Sequence, residues 1–349
     1  MTVLRWTCSL GLMALLACAN GPGPASDGPR VDVPWTHDLG AREPPYPPLP
    51  DGSTIDTTRD AASVKLKKIC FQNIGKTGLP QPDYDQFQPT YGLHCHGTNH
   101  QAIQGVQKVV FLGDSITEGT PPTAPADYYR NRLVKQLEQK FGTLEVKNCA
   151  KYGARTDDLL LPPHQQILTC LPNNPEPKTT LVVVTVGGND AHAWAKDAID
   201  GKSMTEIMVE VDQAISLMRD AIEWFRMDPT RFPNGVHVIF ANVYEYTDGT
   251  GDLPSCPLAF LAGMTGKWPE GRQAYIKVNE QLMKIAVDTK TDMIFLLENF
   301  CGHGYKANDP AGDCYLGPGA ETWFDLTCIH PTPKGHEQIA KMFMSVVNE

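Results

Sequence analysis

Three short blocks of sequence contain residues that could together carry out nucleophilic catalysis. Gly113-Asp114-Ser115 and Gly187-Gly188-Asn189-Asp190 each follow an apolar run, and His330-Pro331 precedes the last segment of helical pattern. A serine hydroxyl needs a base because it is a weak nucleophile at its own pKa, and a histidine can serve as that base. The amide of Asn189 could donate a hydrogen bond to an oxyanion. The three blocks therefore predict acyl transfer, provided that the fold brings them together.

From residue 107 onward, apolar runs alternate with segments of helical periodicity. The predicted strands cover residues 107–112, 144–149, 180–186, 236–241 and 292–297. The predicted helices cover residues 127–141, 204–226, 273–289 and 334–347. Ser203 and Glu206 form a capping box at the start of the second helix. This alternation indicates a parallel sheet covered on both faces, in which functional groups gather at the carboxyl edge of the strands.

The string from Phe111 to Gly119 resembles the first signature block of the SGNH (GDSL) hydrolase family. Three further blocks follow in the order of that family. They are 148–154, whose glycine is Gly153, then Gly187-Gly188-Asn189-Asp190, and finally His330-Pro331. Together these blocks span nearly all of the predicted globular region.

The resemblance implies an α/β fold, a three-layer α/β/α flavodoxin-like sandwich with a five-stranded parallel sheet. It implies a serine esterase with Ser115 as nucleophile and His330 as base. The oxyanion hole would consist of the backbone N–H groups of Ser115 and Gly153 and the side-chain amide of Asn189. We expect Asp190 to hold its loop. No cofactor and no metal ion are expected.

The chain departs from the family at the third member of the triad. The family's last block is Asp-x-x-His, but Thr327 stands three residues before His330, and the nearest acid is Asp325. Either Asp325 reaches the imidazole through a longer loop, or the backbone carbonyl of Thr327 orients the ring. Both would select the tautomer that accepts the serine proton. We favour Asp325.

The N-terminus has the pattern of an export sequence. Arg5 precedes an apolar stretch, residues 10–17, which is too short to span a bilayer and fits the core of a signal peptide. The stretch ends at Cys18 in a sequence that resembles a bacterial lipobox, in which the cysteine is lipidated. The alternative is an ordinary signal peptide. We expect an exported lipoprotein anchored at the outer membrane or cell surface.

Eight cysteines remain once Cys8 and Cys18 are set aside, and an even number in an exported chain predicts disulfides. Proximity in sequence favours the pairs Cys70–Cys95 and Cys149–Cys170. We also expect a disulfide at Cys328, close to the histidine. The three histidines around Cys95 could instead form a metal cluster, but a disulfide is the preferred interpretation in an oxidising compartment.

The composition divides the chain into four parts. Residues 1–18 are the predicted signal peptide and lipobox, and 19–58 form a proline-rich tether. Residues 59–105 are a cysteine-containing extension packed on the main domain, and 106–349 form the hydrolase domain. The net charge of −10 and the absence of a basic run argue against a nucleic-acid partner.

These observations together predict a lipid-anchored, exported serine esterase whose partners are an ester substrate, such as a sugar acetate or a lipid, and the membrane. Two alternatives remain open. One is a lysophospholipase or lipase that acts on long acyl chains. The other is a non-catalytic surface protein that uses the same fold for binding, although such a role does not require Ser115, Asn189 and His330 together.

Overall fold

Five parallel strands form the centre of the protein in the computed structural model, which describes residues 66–72 and 74–349. The strands are β1 (Lys108–Gly113), β2 (Glu145–Asn148), β3 (Thr180–Thr185), β4 (Val236–Ala241) and β5 (Asp292–Ile294). Their order in the sheet is β2-β1-β3-β4-β5. This parallel doubly wound order confirms the predicted flavodoxin-like sandwich.

The helices of the described residues cover the two faces of the sheet. They are α1 (Leu66–Cys70), α2 (Ser115–Glu118), α3 (Tyr129–Phe141), α4 (Gln166–Cys170), α5 (Gly188–Ile199), α6 (Met204–Arg226), α7 (Gly271–Thr289), α8 (Leu296–Phe300) and α9 (Pro333–Asn348). Helices α3 and α9 pack together, and α6 packs with α7. Within this part of the chain, none has the length and apolar character needed to cross a membrane.

Strands β1 and β3 lie at the middle of the sheet, and all of their residues are buried. A strand covered by helices on both faces has no solvent side, so its sequence is a continuous apolar run instead of an alternating pattern. That is why runs such as Leu181 to Val184 mark these strands in the sequence.

The predicted elements agree with the structure to within a few residues, apart from the end of β5, and the short helices α1, α2, α4 and α8 were not predicted. The strand predicted over 292–297 ends at Ile294, because α8 begins two residues later. Helix α5 was not predicted, since its first residues, Gly188-Asn189-Asp190, are typical of a turn. Gly187 caps this helix with a φ of 108°, a left-handed conformation that suits glycine.

Residues 66–105 pack on the main domain through hydrogen bonds to β5, such as that from the Thr98 N–H to the Met293 carbonyl at 3.0 Å, and through an aromatic cluster around Phe295, just after this strand. The ring of Phe295 lies 5.9 to 6.2 Å from three rings of this segment, those of Phe71, Tyr84 and Tyr91. The predicted Cys70–Cys95 disulfide is present. Cys95 is therefore not available as the metal ligand considered above. The predicted limits of the extension, 59 and 105, remain predictions.

Three further disulfides link parts of the chain outside this segment. The predicted Cys149–Cys170 pair is confirmed, as is a disulfide at Cys328, whose partner is Cys256. The remaining pair is Cys301–Cys314. The predicted signal peptide, the lipobox cysteine Cys18, the tether and residues 59–65 lie outside the described residues.

Strand β1 ends at a glycine that has no room for a side chain. Gly113 has a φ of 125°, and a Cβ built there would lie 1.8 Å from the carbonyl oxygen of Thr185 on β3. Because both are backbone positions of paired central strands, the clash could be relieved only by separating the strands.

We expect Gly113→Ala to lower the free energy of unfolding by at least about 4 kcal/mol, since it combines backbone strain with overpacking. Gly263→Ala is the matched control. Gly263 also has a positive φ, of 76°, in the left-handed α region, but its Cβ would meet nothing within 4 Å, so we expect a loss of only about 1–2 kcal/mol. Urea unfolding measures both, and equal losses would contradict the interpretation.

Candidate active site

The structure brings Ser115 and His330 into direct contact although 215 residues separate them. The Oγ of Ser115 lies 2.8 Å from Nε2 of His330, within the range of a hydrogen bond. The two residues are only 5% and 6% exposed. A hydroxyl bonded to a shielded imidazole nitrogen is the arrangement of a nucleophile and its general base.

Ser115 is the first residue of α2, directly after β1. The carboxylate of Asp114 caps this short helix by accepting the N–H of Ile116 at 2.9 Å. Because Ser115 is in the first turn, its own N–H has no acceptor within the helix. The sharp exit of the chain from β1 thus presents both the hydroxyl and a backbone donor at the carboxyl edge of the sheet.

The loop after β2 presents the glycine that the sequence predicts as the second donor. Gly153 has a φ of 70°, which is favourable for glycine. Within the described residues, no acceptor is paired with its N–H. The N–H of the following Ala154 instead closes a turn onto the carbonyl of Lys151 at 3.1 Å. The donor of Gly153 therefore remains available to a ligand.

Asn189, the third predicted donor, is the second residue of α5. Its Nδ2 donates to the carbonyl of Ala154 at 2.9 Å. This bond uses one of the two amide protons and leaves the second one for an oxyanion. It also fixes Asn189 to the loop of Gly153, so the two donors are held relative to one another.

Two side chains hold these loops, and the sequence predicted this role for only one of them, Asp190. Asp190 accepts both the N–H and the hydroxyl of Thr156, at 3.1 and 3.0 Å, and so ties α5 to the Gly153 loop. Gln166 was not predicted. Its amide accepts the N–H of Gly113 at 2.7 Å and donates to the carbonyl of the same residue at 2.9 Å. Nothing in the local sequence indicates this contact.

The structure shows neither of the two contacts that were predicted to orient His330. Its Nδ1 lies 2.9 Å from the side-chain Oγ1 of Thr327, not from a carboxylate and not from the Thr327 carbonyl. The hydroxyl of Thr327 in turn donates to Oδ1 of Asp325, which also accepts the Thr327 N–H at 2.8 Å. An aspartate that bonds the N–H two residues later forms an Asx turn. That turn directs the carboxylate of Asp325 towards the backbone of its own loop. The hydroxyl of Thr327 therefore lies between this carboxylate and the imidazole of His330.

The sequence contained a clue to the role of Thr327, since this residue occupies the position of the acid in the family's last block. Sequence reasoning considered only its carbonyl. A threonine hydroxyl can donate and accept at once, which a carbonyl cannot do.

Burial controls the protonation of the site. It lowers the pKa of the His330 imidazole to about 4, so that the ring is neutral and able to accept a proton near pH 7. Burial raises the pKa of Asp114 to about 7 and that of Asp190 to about 6, although hydrogen bonds from the backbone oppose this effect in both. Neither carboxyl is hydrogen-bonded to the side chain of Ser115 or His330. Asp114 instead caps α2, and Asp190 holds the loop of Gly153.

The sequence profile of the GDSL-like lipase/acylhydrolase family matches residues 111–338. The structure is similar to that of an extracellular lipase from Streptomyces rimosus, at 19% identity and a TM-score of 0.44 over 69% of this chain and 100% of that one. Phospholipase A1 from Streptomyces albidoflavus is similar at 18% identity and a TM-score of 0.44, over 69% of this chain and 99% of that one.

A gut microbial diltiazem-metabolizing enzyme matches at 15% identity and a TM-score of 0.48, over 72% of this chain; the match spans about half, 49%, of that enzyme. Comparison with curated protein sequences found no match. The profile match covers most of the chain, and the protein belongs to the GDSL-like lipase/acylhydrolase family. It is a hydrolase of ester bonds.

The low pKa of His330 predicts an unusual dependence of activity on pH. The neutral ring is the active base, so kcat/KM should fall only as the pH falls through about 4, not near the ordinary imidazole value of 6.5. Initial rates on a p-nitrophenyl ester, read at a wavelength insensitive to pH, would locate this acid limb. Circular dichroism over the same range controls for unfolding. An acid limb of kcat/KM near pH 6.5 in folded protein would contradict the assignment of His330 as a base with a lowered pKa.

Proposed function

We propose that the protein is an exported, lipid-anchored serine esterase that hydrolyses carboxylic esters through Ser115 and His330. The observation that carries this proposal is the 2.8 Å contact between the Ser115 hydroxyl and the His330 imidazole. The donors at Ser115, Gly153 and Asn189 lie around the same strand ends. A role in binding alone would require no such pair.

The reaction would take place in two halves. The Oγ of Ser115 attacks the ester carbonyl while Nε2 of His330 takes its proton, and the resulting oxyanion accepts hydrogen bonds from the three donors. The intermediate then collapses, the alcohol leaves with the proton from Nε2, and the acyl group remains on Ser115. Water attacks the acyl group while Nε2 of His330 takes its proton; the second intermediate collapses, Nε2 returns the proton to Oγ of Ser115, and the acid is released. These steps need only groups of this chain and water.

The anchor rests on the N-terminal sequence. The apolar segment 10–17 leads directly to Cys18, and the proline-rich residues 19–58 would serve as a spacer between the lipid and the enzyme. In this proposal, Cys18 becomes the lipidated first residue of the mature protein, at the outer membrane or cell surface. Substrates would then be esters outside the inner membrane.

One observation favours the second candidate, a lipase or lysophospholipase acting on long acyl chains. Two large side chains, one that packs on the His330 ring and one on the loop before it, are exposed. The ring of Tyr152 lies 5.8 Å from that of His330 and is 57% exposed, and Leu326 on the histidine loop is 56% exposed. Exposed apolar groups at the mouth of a site could contact an acyl chain.

We expect Ser115→Ala to remove nearly all esterase activity, because loss of a catalytic serine can cost on the order of 10⁶ in rate. A fluorophosphonate probe should label Ser115 in the wild type and nothing in the variant. A series of p-nitrophenyl esters from acetate to palmitate gives the acyl preference. A maximum at acetate supports deacetylation, and a maximum at palmitate supports the lipase.

Labelling at a different serine would exclude the proposed nucleophile. The absence of turnover on every ester, together with the absence of labelling, would favour the non-catalytic binding protein.

We expect Cys18→Ser to prevent lipid attachment and to move the protein from the membrane to the soluble fraction, because one or more acyl chains supply the membrane affinity. Cys8→Ser is the matched control, since Cys8 lies within the predicted signal peptide and should leave the anchor unchanged. Fractionation and mass spectrometry of the mature N-terminus are the measurements. A wild-type protein without lipid, or a Cys18→Ser protein that remains in the membrane, would overturn the anchor.

A further inference from the structure

The side chains behind the catalytic histidine form a continuous chain of contacts in which the acid does not touch the ring. Nδ1 of His330 meets Oγ1 of Thr327 at 2.9 Å, and the same hydroxyl meets Oδ1 of Asp325. From this geometry we propose that Thr327 is a positioning residue that occupies the place of the family's acid and connects Asp325 to His330 through its hydroxyl. The inference deepens the proposed function and rests on it.

The direction of each hydrogen bond follows from the chemistry of its partners. Burial raises the pKa of the Asp325 carboxyl, and the hydrogen bonds from the Thr327 hydroxyl and N–H oppose this rise. With Oδ1 accepting the Thr327 N–H at 2.8 Å, we take the group as a carboxylate, an acceptor only. The hydroxyl of Thr327 therefore gives its proton to Oδ1, and only its lone pairs remain for His330. Nδ1 must then carry the proton and donate it, which leaves a lone pair on Nε2. The Ser115 hydroxyl faces that lone pair at 2.8 Å.

The backbone holds this arrangement at both ends of the loop. The N–H of Asp325 donates to the carbonyl of His330 at 2.8 Å, and the N–H of Cys328 donates to the carbonyl of Asp325 at 2.9 Å. Two tyrosine hydroxyls from outside the loop donate to its carbonyls, Tyr305 to Asp325 at 2.7 Å and Tyr244 to Ile329 at 2.6 Å. The loop therefore cannot slide to bring Asp325 into direct contact with the ring without losing these bonds.

The Cys256–Cys328 disulfide adds a covalent restraint next to Thr327. Cys328 has a φ of 77°, a left-handed conformation in which a residue other than glycine is strained. Cys328 lies between Thr327 and His330, and its strained conformation persists because the disulfide and the surrounding hydrogen bonds fix the backbone there.

The intervening hydroxyl has an electrostatic consequence. A carboxylate in contact with an imidazole favours the protonated ring, but here the carboxylate lies one hydroxyl further away, and its effect decreases with distance. The pKa of His330 is correspondingly low, at about 4, with burial as its cause. The other titratable groups that face the ring or its loop are Tyr152, Tyr244, Tyr305, Asp325 and His336.

The first test is a set of substitutions at Thr327 in the full chain. Thr327→Val keeps the shape but removes the hydroxyl, and we expect kcat to fall by at least about 10²-fold with KM nearly unchanged; a wrong tautomer costs about 10⁴-fold in serine proteases. Thr327→Ser is the matched control and should stay within about tenfold of the wild type, because it keeps the hydroxyl. A valine variant as active as the serine variant, both folded, would overturn the proposal.

Thr327→Asp provides a readout that a purely structural role would not alter. It places an acid directly at the family position, and a carboxylate beside the ring favours the protonated form. We expect the acid limb of kcat/KM to move to higher pH by at least one pH unit relative to the wild type, with activity retained. An unchanged acid limb would contradict the proposed position of residue 327 next to Nδ1.

A double-mutant cycle tests whether Asp325 acts through Thr327. Asp325→Asn should lower kcat in the wild-type background by about tenfold or more, but should have almost no further effect in the Thr327→Val background. If the decreases in kcat of the two single variants multiply in the double variant, Asp325 acts independently of Thr327. The proposed connection of Asp325 to His330 through the Thr327 hydroxyl, the relay, would then be wrong.

A final measurement separates failure of the relay from failure of the proposed function. NMR of protein labelled with ¹⁵N-histidine reports the tautomer of His330 without any substrate. We expect the proton on Nδ1 in the wild type and Thr327→Ser, and a loss of that preference in Thr327→Val. If the wild type shows this tautomer but hydrolyses no ester, the relay stands and the proposed function fails. If it carries the proton on Nε2, the relay fails whatever the activity.

Discussion

Strands β1 and β3 lie side by side, and the carbonyl of Thr185 accepts the N–H of Asp114 at 3.0 Å where Gly113 passes without a side chain. This close backbone contact makes the two strands end at the same level of the sheet. The chain leaves β1 into Ser115 and leaves β3 towards Asn189. The nucleophile and the amide donor are neighbours because the strands before them are paired, and any residue larger than glycine at position 113 would disturb both.

The loop that carries the glycine donor depends on the same position. The carbonyl of Gly113 accepts the N–H of Lys151 and the side-chain amide of Gln166, both at 2.9 Å. The Cys149–Cys170 disulfide joins the two segments that supply these groups. One proposed oxyanion donor, Ser115, and the loop that carries a second, Gly153, are thus attached to the end of β1, and the third, Asn189, is hydrogen-bonded to that loop. Donors held in this way would need no reorganisation during a reaction.

The histidine loop comes from the other end of the chain and has its own supports. Its closure brings the Asp325 N–H to the His330 carbonyl at 2.8 Å, while the Asx turn directs the Asp325 carboxylate onto Thr327. The acid of an ordinary triad is therefore replaced by an acid and a hydroxyl in series. Together with burial, this places a neutral imidazole beside Ser115, in the state that a general base requires.

Much of this protein could be predicted from the sequence because the determining forces are local. Apolar runs such as 180–186 specify buried strands, helical periodicity specifies the helices, and the four blocks identify Ser115, Asn189 and His330. Which atoms meet was decided only by the tertiary structure. The contact of Gln166 with β1, the partner of Cys328 and the hydroxyl between Asp325 and His330 depend on loop conformation and side-chain direction, and these are set by packing between segments that are distant in sequence.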